Sequence, residues 1–165
     1  MRMTFRRMAD RRPVETTVAR DDGVVFELRG AGGGADLPHD LVHALVEREL
    51  RVADGIWGCI ADGVVWQSMR HVSGRQPPHA AERSAALKRA RSARVQQAEL
   101  LADVVARLAR DAEVLPTEVA GSGHPRAQLT EAAAALRAAG REWAALRPGE
   151  TLVVDWARPG GRRRR

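Results

Sequence analysis

The sequence predicts an α+β fold: a small antiparallel sheet built from N-terminal hairpin strands plus one C-terminal strand, covered by about four helices that include an antiparallel helical hairpin. Three observations carry this expectation. Within residues 1–30, β-branched and aromatic residues alternate with polar ones in short runs. Residues 37–50 and 129–146 repeat apolar residues at helical spacing. Thr151 to Trp156 then returns to alternation, with Leu152, Val154 and Trp156 on one side.

Taken in order, Met3 to Met8, Val14 to Val18 and Val24 to Arg29 read as strands, with Asp21-Asp22-Gly23 as the turn of a hairpin. Val24, Phe26 and Leu28 are expected to face a core, and Val25, Glu27 and Arg29 to face away from it. The run Gly30-Ala-Gly-Gly-Gly-Ala-Asp36 matches neither phosphate-binding fingerprint and reads as a connector. Asp36 is the expected N-cap of the next helix, with Pro38 in its first turn.

Asp54 to Trp66 spaces Trp57, Ile60, Ala61, Val64 and Val65 as a second helix, although Gly58 and Gly63 lower its propensity. Cys59, the single cysteine, is expected to be a buried small residue. Val72 to His79 reads as a loop, Ala80 to Glu113 as one long helix, and Leu115 to Arg126 as a second loop. The first half of the long helix is basic, while its second half carries the stripe Leu101, Val104, Val105 and Leu108. That stripe is expected to meet the last helix, on which Leu129, Ala132, Ala133, Leu136, Ala139, Trp143 and Leu146 share a face.

One domain is expected over residues 1–157, and the arginine-rich tail 158–165 is expected to be disordered because it has nothing to bury. No apolar run is long enough for a membrane span, and Met1 to Arg7 lacks the apolar core of a secretory signal. A cytoplasmic protein without membrane contact is the resulting expectation, and a single cysteine agrees with a reducing compartment. The net charge of +6 is concentrated at the ends: residues 13–157 carry 17 basic against 20 acidic side chains. Arginine outnumbers lysine 26 to 1, which points to a GC-rich genome such as an actinobacterium's and lowers the weight of each arginine cluster.

The segment Leu37-Pro-His-Asp-Leu-Val-His-Ala-Leu-Val-Glu-Arg-Glu-Leu50 holds the candidate site. At about 100° per residue its apolar side chains sweep a broad arc. His39 and His43 fall at the margin of that arc, one turn apart, with Asp40 and Glu47 in the polar sector. Histidines at i and i+4 present two imidazoles to one ion, as in zinc metalloproteases. Those enzymes use H-E-x-x-H; here Asp40 stands where the general base would be and is one methylene shorter. Glu47 lies about 12 Å along the axis from His39, a long reach for one ion, and Arg51 one turn on is its expected partner. Asp40 and Glu47 therefore rank as outer carboxylates, and a third ligand has to come from His71, His79, His124 or a distant carboxylate.

Together with Asp54-Gly-Ile-Trp-Gly-Cys-Ile-Ala-Asp-Gly63, this segment resembles the core of a family of uncharacterised bacterial, mainly actinobacterial, proteins with an LPHDLxHxxVE…GxWGxxAxG pattern. The resemblance covers residues 37 to 66 and implies that the histidine helix and the tryptophan helix belong together. It implies no activity.

Three functional readings follow. In the first, His39 and His43 are hydrogen-bonded at the rim of the helix packing, and the protein is a non-enzymatic interaction or regulatory module, with self-association or a protein partner. In the second they bind a metal, zinc being the natural ion, with metal-dependent hydrolysis as its extension. In the third, Arg83, Lys88, Arg89, Arg91, Arg94 and the tail Arg162 to Arg165 follow a nucleic-acid backbone.

Overall fold

Alternation in the N-terminal third produces a meander whose inward residues are almost entirely buried. In a computed structural model that describes residues 1–9, 13–30 and 34–157, strands β1 (Arg2–Arg6), β2 (Val14–Ala19) and β3 (Val25–Gly30) pair antiparallel in sequence order. Met3, Phe5, Val14, Val18, Val24, Phe26 and Leu28 point to one side and are buried. The opposite face carries Thr4, Arg6, Glu15, Thr17, Glu27 and Arg29, as expected for a sheet covered on one side only.

Helix α1 (His39–Glu49) follows, then the short α2 (Ile56–Ala61) and a strand the sequence did not suggest, β4 (Met69–Ser73). Helices α3 (Ala80–Ala90), α4 (Ser92–Ala109), α5 (Pro116–Ser122) and α6 (Arg126–Ala145) lead to β5 (Thr151–Asp155). The sheet order is β4-β3-β2-β1-β5, so the C-terminal strand closes against the first one. Its register with β1 runs from Arg2 opposite Asp155 to Arg6 opposite Thr151. All neighbours are antiparallel.

The helices cover the apolar face, with α1 packed against α2, α4 and α6. Trp57 of α2 stands edge-on to Phe5 of β1, ring centroids 6.0 Å apart, which couples the helix layer to the sheet. Arg7 provides a second link: its guanidinium donates to the carbonyls of Trp143 and Ala144 at 2.9 and 2.7 Å, satisfying the end of α6.

Several expectations are corrected. Asp36 is exposed and Pro38 occupies the N-cap position, so α1 begins without a side-chain cap. The tryptophan helix ends at Ala61, and Gly63 at φ 108° turns the chain away. The long helix is two helices, because Arg91 leaves helical geometry and pairs with Asp62 at 2.6 Å. Its halves differ as expected: only Ser84 of α3 is buried, whereas Ala98, Leu101, Ala102, Val104 and Val105 of α4 are. The second loop contains α5, which packs on α4; Gln97 donates to the carbonyls of Gly121 and Ser122. Helix α6 then packs its predicted stripe against α4, and Arg137 reaches the Leu108 carbonyl at 3.1 Å. The expected tail 158–165 and part of the glycine connector lie outside the described residues.

Candidate functional site

Helix α1 lies at the centre of the helix layer, and its apolar arc sets the orientation of its polar residues. Leu41, Ala44, Leu45 and Val46 are buried, and this places His43 inside while His39, one turn earlier, stays exposed. The two rings meet edge to face, centroids 4.6 Å apart. Across the groove, α4 brings Glu99. Its Oε2 stands 3.1 Å from His43 Nε2 and 3.8 Å from His39 Nε2. One candidate ligand atom from each of His39, His43 and Glu99 lies within 4.8 Å of the other two.

Glu99 was not singled out in the sequence, although one signal was available: it is the single acidic residue between Arg83 and Ala102. It is a distant carboxylate of the kind that the metal reading needs as a third ligand. The other three histidines are elsewhere. His71 sits on β4 against Phe26, His79 precedes α3 beside Glu82, and His124 contacts Gln128.

Burial lowers the His43 pKa, and the Glu99 carboxylate counteracts part of that shift. The lowering favours the neutral imidazole, the form that ligates metal. Its Nδ1 is buried and has no hydrogen-bond partner among the described residues.

Asp40 stays beside the cluster, Oδ1 3.7 Å from His39 Nδ1. It fits there because β3 ends in Gly30: a Cβ at that position would stand 2.3 Å from Asp40 Oδ2. The carbonyl of Asp40 accepts the Trp57 indole N–H at 3.0 Å, which joins α1 to α2.

Glu47 corrects the sequence reading. It is neither on a solvated face nor paired with Arg51; it is 1% exposed and accepts the backbone N–H groups of Trp57 at 3.0 Å and Gly58 at 3.2 Å. Burial raises its pKa to about 7, against the lowering effect of those backbone donors. Glu47 thus serves the start of α2 and lies outside the histidine cluster. Gly55 leaves room for it, since a Cβ there would stand 2.5 Å from Glu47 Cδ. Gly55→Ala is expected to cost about 1–3 kcal/mol through this clash, measured by urea denaturation; an unchanged midpoint would show that the carboxylate relocates freely.

The basic residues of α3 and α4 are mostly engaged within the chain. Arg91 pairs with Asp62, Arg94 lies 3.4 Å from Asp54, and Lys88 stands over the Trp66 ring at 5.2 Å. No helix among the described residues is long and apolar enough to cross a membrane.

Fold and site together define a two-layer α+β protein with a two-histidine, one-glutamate cluster between two helices of its covering layer. Comparison with protein-family models, with curated proteins and with solved structures found no match to this chain.

Proposed function

We propose that this protein is a metal-binding module that holds one divalent first-row transition ion between α1 and α4, with His39, His43 and Glu99 as ligands. The observation that carries this reading is the convergence of three ligand atoms within 4.8 Å from two helices far apart in sequence. Two imidazoles and a carboxylate suit zinc and its neighbours in the series better than magnesium, calcium or copper(I). His39 and Glu99 are exposed and His43 is buried, so an ion there has one wall of protein and an open side toward solvent. A neutral His43 donates its Nε2 proton to Glu99, so an ion bound at Nε2 must displace that proton to the buried Nδ1. Its unsupported Nδ1 lowers the expected affinity relative to sites whose histidines donate to an acceptor.

Such an ion ties α1 to α4 and makes their packing metal-dependent, which suits a regulatory or interaction module. Hydrolysis is the weaker reading: Asp40 lies beside His39 Nδ1, and Glu47 is committed to the amides of α2. The competing reading takes the 3.1 Å His43–Glu99 contact as a structural hydrogen bond and nothing more.

Chelator-treated protein titrated with zinc by calorimetry, with elemental analysis of the product, separates the two. One zinc per chain is expected. His39→Gln or Glu99→Gln should weaken binding about 100-fold, whereas Glu47→Gln should retain full stoichiometry. If zinc fails to bind, or binds equally well to Glu99→Gln, the ligand set is wrong. In that case Glu99→Gln should instead show only the stability cost of altering one half-exposed hydrogen bond, about 0.5–1.5 kcal/mol.

A further inference from the structure

The two edges of the sheet are built differently. On β4 the register shifts at Val25/Phe26, and the strand carries Arg70 and His71; irregularity and charge of this kind discourage further strand pairing. β5 has no such irregularity, and its one charged side chain, Asp155, is paired with Arg2 of β1 at 3.0 Å. It pairs with β1 without a bulge from Thr151 to Asp155 and contains no proline, lysine or arginine.

The phase of its ladder follows from the flanking bonds. Arg7 N–H donates to the Glu150 carbonyl and Trp156 N–H to the Met1 carbonyl, both at 2.9 Å. Backbone groups alternate in direction along an antiparallel strand, so Glu150, Leu152, Val154 and Trp156 face β1, and Thr151, Val153 and Asp155 turn their N–H and C=O groups outward. Among the described residues, none of those outward groups has a hydrogen-bond partner. The side chains of the same three residues lie on the uncovered face, where Val153 is 47% exposed.

We propose that β5 is the docking edge for a second copy of this chain, the two strands pairing antiparallel about a two-fold axis at Val153 to form one continuous sheet. The occupant follows from self-complementarity. In this register Val153 opposes its own copy, and the Thr151 hydroxyl opposes the Asp155 carboxylate on both sides of the axis. Every outward N–H and C=O then finds a partner. A slip of the axis toward the C-terminus sets Asp155 against Asp155, a like-charge pair. A slip toward the N-terminus runs into Gly149, where φ is 92° and the N–H is already given to the Arg7 carbonyl. An axis at Leu152 or Val154 leaves one outward residue of β5 without a partner in the strand, and an axis between two residues presents groups that β1 has already taken.

The contact is one strand wide, so the dimer is a weak one whose population should rise between about 10 μM and about 1 mM. Sedimentation of the full chain and of a chain ending at Ala157 should show the same concentration-dependent dimer. Thr151→Asp, which sets a carboxylate against Asp155, should weaken it at least about tenfold, and Thr151→Lys should strengthen it.

Mild oxidation gives an independent readout. Opposed Cα atoms of a hydrogen-bonded pair lie about 5.5 Å apart, within reach of a disulfide. Val153→Cys and the double variant Thr151→Cys/Asp155→Cys should become covalent dimers, whereas Thr151→Cys alone should not; Cys59 is buried and leaves the unsubstituted chain monomeric on a reducing-agent-free gel. The proposal is overturned by a full chain that stays monomeric at about 1 mM, by a dimer indifferent to both charges at Thr151, or by equal crosslinking of Thr151→Cys and Val153→Cys. It is also overturned if only the chain ending at Ala157 dimerises, since the C-terminal residues would then be the occupant.

Discussion

A chain ending at Gly149 should fail to fold, whereas one ending at Ala157 should melt with the full-length protein. The shorter chain loses β5 and with it Leu152, Val154 and Trp156, which are 5%, 1% and 2% exposed. At about 1.5–3 kcal/mol for each large apolar side chain fully buried, the lost hydrophobic contribution is about 5–9 kcal/mol. That is comparable with the whole stability of an ordinary domain, about 5–15 kcal/mol. The cut also exposes the unpaired backbone edge of β1 and the apolar core beside it, so insolubility should accompany unfolding. Far-UV circular dichroism and urea titration of both chains provide the measurement. Cooperative unfolding of the chain ending at Gly149, near the full-length midpoint, would mean that closure by β5 is dispensable.

The second large effect comes from Glu47. Its folded pKa of about 7 exceeds the ordinary 4.5, first because burial disfavours the ionised form and further because Asp54 is near, while the Trp57 and Gly58 amides oppose the shift. Between about pH 4.5 and about pH 7 the unfolded chain has lost this proton and the folded chain still holds it, so stability falls as pH rises. The penalty is absent below the unfolded value and complete above the folded one, where it amounts to about 3 kcal/mol. His43 works in the opposite direction: its pKa is lowered, so its contribution is lost as pH falls below the ordinary value of 6.5. The total curve therefore mixes the two, and the difference between the native chain and Glu47→Gln isolates the first. That difference should move against the native chain by about 3 kcal/mol from about pH 5 to about pH 8 in urea titrations. A difference constant across this range would show that the carboxylate is solvated and not held at the start of α2.

Some of what the sequence did not convey was in fact written there. Helix α5 has Pro116 at its first position, and Glu118 accepts the Leu115 N–H at 2.8 Å, a recognisable helix start hidden in a segment otherwise rich in glycine and proline. β4 left no such trace. Of its residues only Met69 is buried, so it has no inward side chains to alternate with outward ones, and pairing with β3 alone makes it a strand.

What the sequence determined by itself was the alternation of β1, β2, β3 and β5, the apolar faces of α1, α4 and α6, and the pairing of His39 with His43. Each is set by neighbours within a turn or two along the chain, where periodicity translates directly into a face. The tertiary structure alone decided that Glu99 lies beside the histidine pair, that Glu47 is buried against the amides of α2, and that the helix predicted from Ala80 to Glu113 breaks at Arg91. Glu99 is 56 residues from His43, and Glu47 is 10 from Trp57. At those separations a carboxylate's role depends on which donor the packing brings within about 3 Å, and local spacing carries no information about that distance.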